Sequence, residues 1–171
     1  MIRDLSTVSI KGNGREFVTC GYLHLCYWQL RGDRLVYSSF NSQTQGRYLS
    51  VCSLNEYILT GCESGKIYLW LNFELVHVLH DAHQAAVRCL EADHANDIII
   101  SGGKDGLILF LKIEEHRLSI FNRAKIRQGE DQDEEQGWKV EEQVQAIALS
   151  PQQLSDDWEK VLVGTRSGAI Y

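Results

Sequence analysis

"DIIISGGKDGLILFLK", Asp97 to Lys112, is two apolar runs joined by a glycine-rich break. The runs are mostly Ile and Leu, which suits pleated, mostly buried strands. A tight hairpin between them needs one residue with positive φ, and glycine adopts it without a Cβ clash. Asp105, just before Gly106, can hydrogen-bond the local backbone as turn residues do. The stretch therefore predicts a β-hairpin, and it has relatives elsewhere in the chain. "YILTGCESGKIYLWL", Tyr57 to Leu71, and "KVLVGTRSGAIY", Lys160 to Tyr171, share its Gly-x-x-[Ser/Asp]-Gly spacing, at Gly61 to Gly65 and Gly164 to Gly168. "GREFVTCGYLHLCYWQL", Gly14 to Leu30, is a further hairpin, broken at Gly21-Tyr22-Leu23.

Gly61 and Gly102 are 41 residues apart, Gly164 lies 62 further on, and Trp28 and Trp70 are 42 apart, with Leu111 in the next equivalent place. An acidic segment accounts for the longer interval. Each hairpin after the first is preceded by a short strand pattern: Leu49-x-Val51, Val87-x-Cys89 and Val144-x-Ala146-x-Ala148. Further strand patterns follow at Arg34 to Phe40, Glu74 to Leu79 and Leu118 to Ile126. A unit of four short strands recurring about every 40 residues is the mark of propeller blades. The reading is all-β, about three and a half four-stranded blades of an incomplete β-propeller over residues 1–171. The blades fall near 7–40, 48–80 and 86–126, with a partial blade at 144–171 and an acidic loop at 127–143. The one helical pattern is a possible turn in Gln152 to Trp158.

Composition narrows the function classes. The net charge is -6, and the segment Arg127 to Gln143, with seven acids and two bases, holds five of those six charges. The remainder is close to neutral, which argues against nucleic acid, whose phosphates want a basic field. No Lys/Arg cluster points to a lipid surface, no apolar run reaches the roughly 18 residues of a membrane span, and the N-terminus lacks the apolar core of a secretory signal. Five cysteines (Cys20, Cys26, Cys52, Cys62 and Cys89), with no Cys-x-x-Cys pair, read as reduced core residues of a cytosolic protein.

Chemical motifs are few. His77, His80 and His83 stand three apart with Asp81 among them, but on a strand running into a turn they fall on different faces, so no metal is assigned. The glycine turns lack the Gly-Lys-Ser/Thr ending of a phosphate loop, and no Gly-x-Ser-x-Gly elbow is present. Ser101, His83 and Asp105 have the composition of a hydrolase triad. The acidic loop, poor in apolar residues, is expected to be solvated; Trp138 gives it one apolar anchor, which leaves open a docking arm for a basic partner.

These residues resemble the WD-repeat family. The marks are Ala82-His83 before an inner strand, Ser101-Gly102-Gly103-Lys104-Asp105-Gly106 at the middle turn, and Trp70 closing a third strand. The resemblance implies a buried hydrogen-bonded set in each blade, built from His, Ser/Thr, Asp and Trp. His83, Ser101 and Asp105 match the first three, with Leu111 in place of the Trp; Thr60 and Trp70 match in the blade before, with Ser64 in place of the Asp and no preceding His. This reading explains the three triad-like residues without a catalytic role. More narrowly, "FVTCGYLHLCYW", "ILTGCESGKIYLWLNFELVHVLHDAHQAAVRCL", "IIISGGKDGLILFL" and "VLVGTRSGAIY" resemble, in order, blades of the echinoderm microtubule-associated protein-like family. That resemblance implies a non-catalytic scaffold in a cytoplasmic, cytoskeletal setting such as a microtubule or the axoneme of a cilium. Its partners would be tubulin or axonemal proteins, and no cofactor is implied; a general adaptor in another cytosolic complex is the alternative. Seven blades need roughly 280 residues. The chain is therefore expected to be completed by further blades, from a longer polypeptide or another chain.

Overall fold

The computed structural model describes residues 5–11, 14–41, 46–126, 142–149 and 161–171, residues 5–11 by their backbone alone. Among the described residues it is all-β, and none of it forms a helix long and apolar enough to cross a membrane. The first blade is β1 (Leu5–Lys11), β2 (Glu16–Gly21), β3 (His24–Arg31) and β4 (Arg34–Ser39); the second is β5 (Tyr48–Leu54), β6 (Tyr57–Cys62), β7 (Ile67–Leu71) and β8 (Glu74–Leu79). The third is β9 (Val87–Asp93), β10 (Ile98–Gly103), β11 (Leu107–Glu114) and β12 (Arg117–Lys125), and β13 (Val144–Leu149) pairs with β14 (Val161–Thr165) as the start of a fourth. Each sheet is an antiparallel meander in chain order. The inner strands β1, β5, β9 and β13 are successive neighbours, so the sheets stand side by side as blades of an incomplete β-propeller. The acidic loop from 127 to 141 and the turn expected at 152–158 lie outside the described residues.

Period-2 alternation sends the residues of each middle strand to opposite faces of its blade. In β6 and β7, Ile58, Tyr68 and Trp70 pack with Val18, Cys20 and Phe40 of the first blade. Their neighbours Leu59, Ile67 and Leu69 pack the other way, against Val87, Ile99, Leu109 and Leu111 of the third. A smaller core of Ile100, Ile108, Val144, Ile147 and Val163 joins the third blade to the fourth. Blades buried on both faces need apolar residues at both parities, hence the near-continuous apolar runs of the sequence.

Glycine has two jobs at these seams. Gly65 and Gly106 have positive φ, 85° and 74°, as the hairpin turns require. Gly61 and Gly102 instead leave room for the next blade: a Cβ at Gly61 would strike Val87, and one at Gly102 would strike Val144, each the first residue of the following inner strand. The first hairpin has no such glycine at its turn. Leu23 takes positive φ there, 50°, and its side chain stays exposed.

Candidate functional site

The polar sets of the first three blades share one register. Thr19, Thr60 and Ser101 sit opposite Cys26, Tyr68 and Leu109, and two residues further along the third strand stand Trp28, Trp70 and Leu111. In the second blade the Trp70 indole N–H donates to Thr60 Oγ1 at 3.0 Å, both residues fully buried. The same bond recurs in the first blade at 2.8 Å, from Trp28 Nε1 to Thr19 Oγ1.

In the third blade the set is His83, Ser101 and Asp105. His83 lies in the connection from β8 to β9; its Nδ1 is 3.0 Å from Asp105 Oδ1 and its Nε2 is 2.9 Å from Ser101 Oγ. A carboxylate only accepts, so Nδ1–H donates to Asp105, and the Ser101 hydroxyl donates to Nε2. Burial pushes the His83 pKa down, against the bond and charge of Asp105, so the ring is neutral and this tautomer is fixed. Asp105 also accepts from the backbone N–H of Gln84 at 2.8 Å and of Leu107 at 3.1 Å. On its other side the His83 N–H donates to the Gly65 carbonyl of the second blade's turn. The connection is therefore clamped between two blades.

Ser101–His83–Asp105 reproduces the connectivity of a serine hydrolase, but Ser101 is 0% exposed and its neighbours Ile100 and Leu109 are buried core. A nucleophile must reach substrate, and this hydroxyl has no path to one. Its geometry serves the seam.

Residues 73–110 match the family described as WD domain, G-beta repeat. The chain carries a WD repeat. The match opens in the turn before β8 and runs through β9 and β10 into β11. The WD repeat thus takes its first strand from the second blade and the next three from the third, and His83 stands at the crossing between them. That stagger explains why the clamp spans a seam.

The first blade closes its set differently. His24, at the start of β3, takes the place His83 has in the third: the Thr19 hydroxyl, which accepts from Trp28, donates to His24 Nε2 at 2.7 Å. His24 Nδ1–H then points to Cys26 Sγ at 3.8 Å. Burial lowers the His24 pKa and raises that of Cys26, so the pair is a neutral imidazole and a thiol. Sequence spacing did not single out this role, because His24 sits within the blade and not in the connection that precedes it. In the fourth blade Val163 stands at the Ser/Thr position, and the Ser167 hydroxyl donates to Glu142 Oε1 at 2.6 Å. Glu142 is buried. This end of the acidic segment is packed, against the expectation of a fully solvated loop to 143, because it enters the seam ahead of β13.

The histidines of the 77–83 run have separate partners. His77 Nδ1 accepts from the Leu118 N–H at 3.1 Å, linking the outer strands β8 and β12; His80 is exposed; His83 belongs to the clamp. Among the described residues no group of three or more His, Cys, Asp or Glu converges as a metal site. All five cysteines are free, and burial raises the thiol pKa of Cys52 and pushes that of Cys89 up to about 12, which keeps both as inert core thiols.

Proposed function

We propose that this chain is a non-catalytic WD-repeat scaffold of the microtubule-associated or axonemal type, working in the cytoplasm on the cytoskeleton, with tubulin or axonemal proteins as partners. The WD repeat at 73–110 carries the scaffold part of the reading, since such blades serve protein–protein contact. Its one triad-like set lies inside a seam with Ser101 fully buried, so the arrangement holds blades together and leaves the outer loops for partners. The microtubule part rests on the ordered series of four hairpins, whose sequence resembles successive blades of the echinoderm microtubule-associated protein-like family. A general adaptor role in another cytosolic complex is the second reading. It is favoured by the acidic segment with its five net negative charges, which suits a basic partner and repels an acidic lattice.

Pelleting with taxol-stabilised microtubules separates the two. Co-sedimentation that falls with rising salt is the expected result. Protein that stays in the supernatant rejects the microtubule reading and leaves the adaptor reading.

A further inference from the structure

A cavity of about 340 Å³ opens at the turn end of the seam between the second and third blades, away from the His83 clamp. Its apolar lining is Leu54, which is buried, and Ile113, which is half-buried. One wall is a ring pair: Tyr57 and His116 lie with centroids 6.0 Å apart, and the Tyr57 hydroxyl is 2.8 Å from His116 Nδ1. The rim is polar. Asn55 Nδ2 donates to Asp97 Oδ1 at 2.9 Å, and Glu115 also lines the cavity.

The walls are set by the backbone. Among the described residues seven non-glycine residues have positive φ, and four of them, Asn55, Asp97, Glu115 and His116, border this one cavity. They belong to three turns of two blades, so packing of the seam fixes their separation.

The seam between the first and second blades has an equivalent turn. There the turn residues are Asn72 and Phe73, with the same pair of positive φ values, 49° and 68°, against 49° and 62° at Glu115 and His116. The Phe73 ring fills that seam, 5.2 Å from Tyr27 and 5.4 Å from Phe40. At the later seam a hydrophilic pair stands in the turn, the ring bonds Tyr57, and space remains.

We infer that this cavity binds an arginine side chain presented by a protein partner. The aliphatic stem lies on Leu54 and Ile113. The guanidinium plane stacks on the Tyr57 ring, and its N–H groups donate to the carboxylates of Asp97 and Glu115. Asp97 keeps its second oxygen for this while Asn55 holds the first. The adjacent cavity, about 720 Å³, shares Glu115 and is lined also by Glu114 and Arg117. Among the described residues no ion pair joins Arg117 to either glutamate. The inference rests on the scaffold reading only for its use by a partner.

The test is a titration of the full chain with the capped pentapeptide Gly-Ser-Arg-Ser-Gly, followed by methyl shifts of Leu54 and Ile113. Analogues with Lys or norleucine at the centre, and free arginine, are run beside it. Saturable shifts are expected with an affinity on the order of 1 mM. The Lys peptide should bind about threefold more weakly and the norleucine peptide not detectably; the double variant Asp97→Asn/Glu115→Gln should lose about tenfold. His116→Phe, which places the Phe73-type plug here, should abolish the shifts with the melting curve kept. Free arginine as tight as the peptide would mean a metabolite site and overturn the partner assignment. Equal binding of the norleucine peptide, indifference to the double variant, or no shift at 10 mM peptide would overturn the cavity's role. These readouts do not involve microtubules, so failure here leaves the scaffold reading standing, and failed pelleting leaves this site standing.

Discussion

His83 ties the second blade to the third. It bonds Ser101 and Asp105 within the third blade while its backbone N–H bonds Gly65 of the second. Removing its ring leaves a fully buried hydroxyl and a half-buried carboxylate short of a partner. Such loss costs about 1–3 kcal/mol. His83→Ala should therefore lower the melting temperature by several degrees, about 2–4 °C per kcal/mol for a domain of this size. Gly102→Val should do similar harm for the opposite reason: its side chain would collide with Val144 and Cys89, and overpacking costs roughly 1–3 kcal/mol. An unchanged melting curve for either variant would show that the seam relaxes around them. The His83 set was legible in the sequence through the match of its members to the WD-repeat pattern. The crowding at Gly102 was not, since it depends on Val144 of another blade. The cavity at Asn55, Asp97 and Glu115 was hidden for the same reason: three turns far apart in sequence meet only after the blades stack.

At the scale of the element, the four hairpins differ in how much of the pattern they keep. The paired apolar runs and the turn glycines made the strands readable, since alternation and positive φ are local properties. Polar sets were readable only where the sequence keeps the expected spacing. Thr60 with Trp70 fits; the first blade's Thr19–His24–Trp28 chain does not, because its histidine comes from β3. The acidic segment shows the same limit at its far end. Its charge marks it as a loop, yet Glu142 is buried and bonded to Ser167. Replacing residues 129–141 by a short Gly/Ser linker should leave the fold intact, whereas a deletion that also takes Glu142 should destabilise the β13–β14 hairpin. Circular dichroism melts of the two deletions decide the matter: equal melting would remove any structural role from Glu142.

Acid should weaken the molecule as a whole through its histidines. His24, His77 and His83 all have pKa values pushed below the ordinary imidazole value of 6.5, with burial the leading cause in each. A base whose pKa is lowered on folding binds fewer protons folded than unfolded, so stability is complete above pH 6.5 and falls as pH drops below it. Each ring also accepts a hydrogen bond as a neutral group, His83 from Ser101, His24 from Thr19 and His77 from the Leu118 backbone. Melting temperatures taken from pH 7.5 to 5 should fall, and less steeply in His83→Gln. A flat profile would mean that protonated rings are accommodated in the seams.

The two ends of the arc set the last expectation. On the first blade the face turned away from the second carries Phe17 stacked on Trp28, 6.1 Å between centroids, with Tyr37 tilted against it. Leu35 and Tyr37 on that face are 55% and 64% exposed. At the other end Gly164 occupies the position where Gly61 and Gly102 receive a valine, but among the described residues only the Cβ of Ala146 comes within 4 Å, at 3.8 Å. Leu162 and Ile170 beside it are exposed. Contiguous apolar sheet faces with unpaired edges associate, and the internal seams show what these faces accept: another blade. The 171-residue chain alone should therefore self-associate, with sedimentation coefficients that rise with concentration, and Leu35→Lys/Tyr37→Lys should shift it toward monomer. A monodisperse, cooperatively unfolding monomer in analytical ultracentrifugation would show instead that the chain covers both faces by itself.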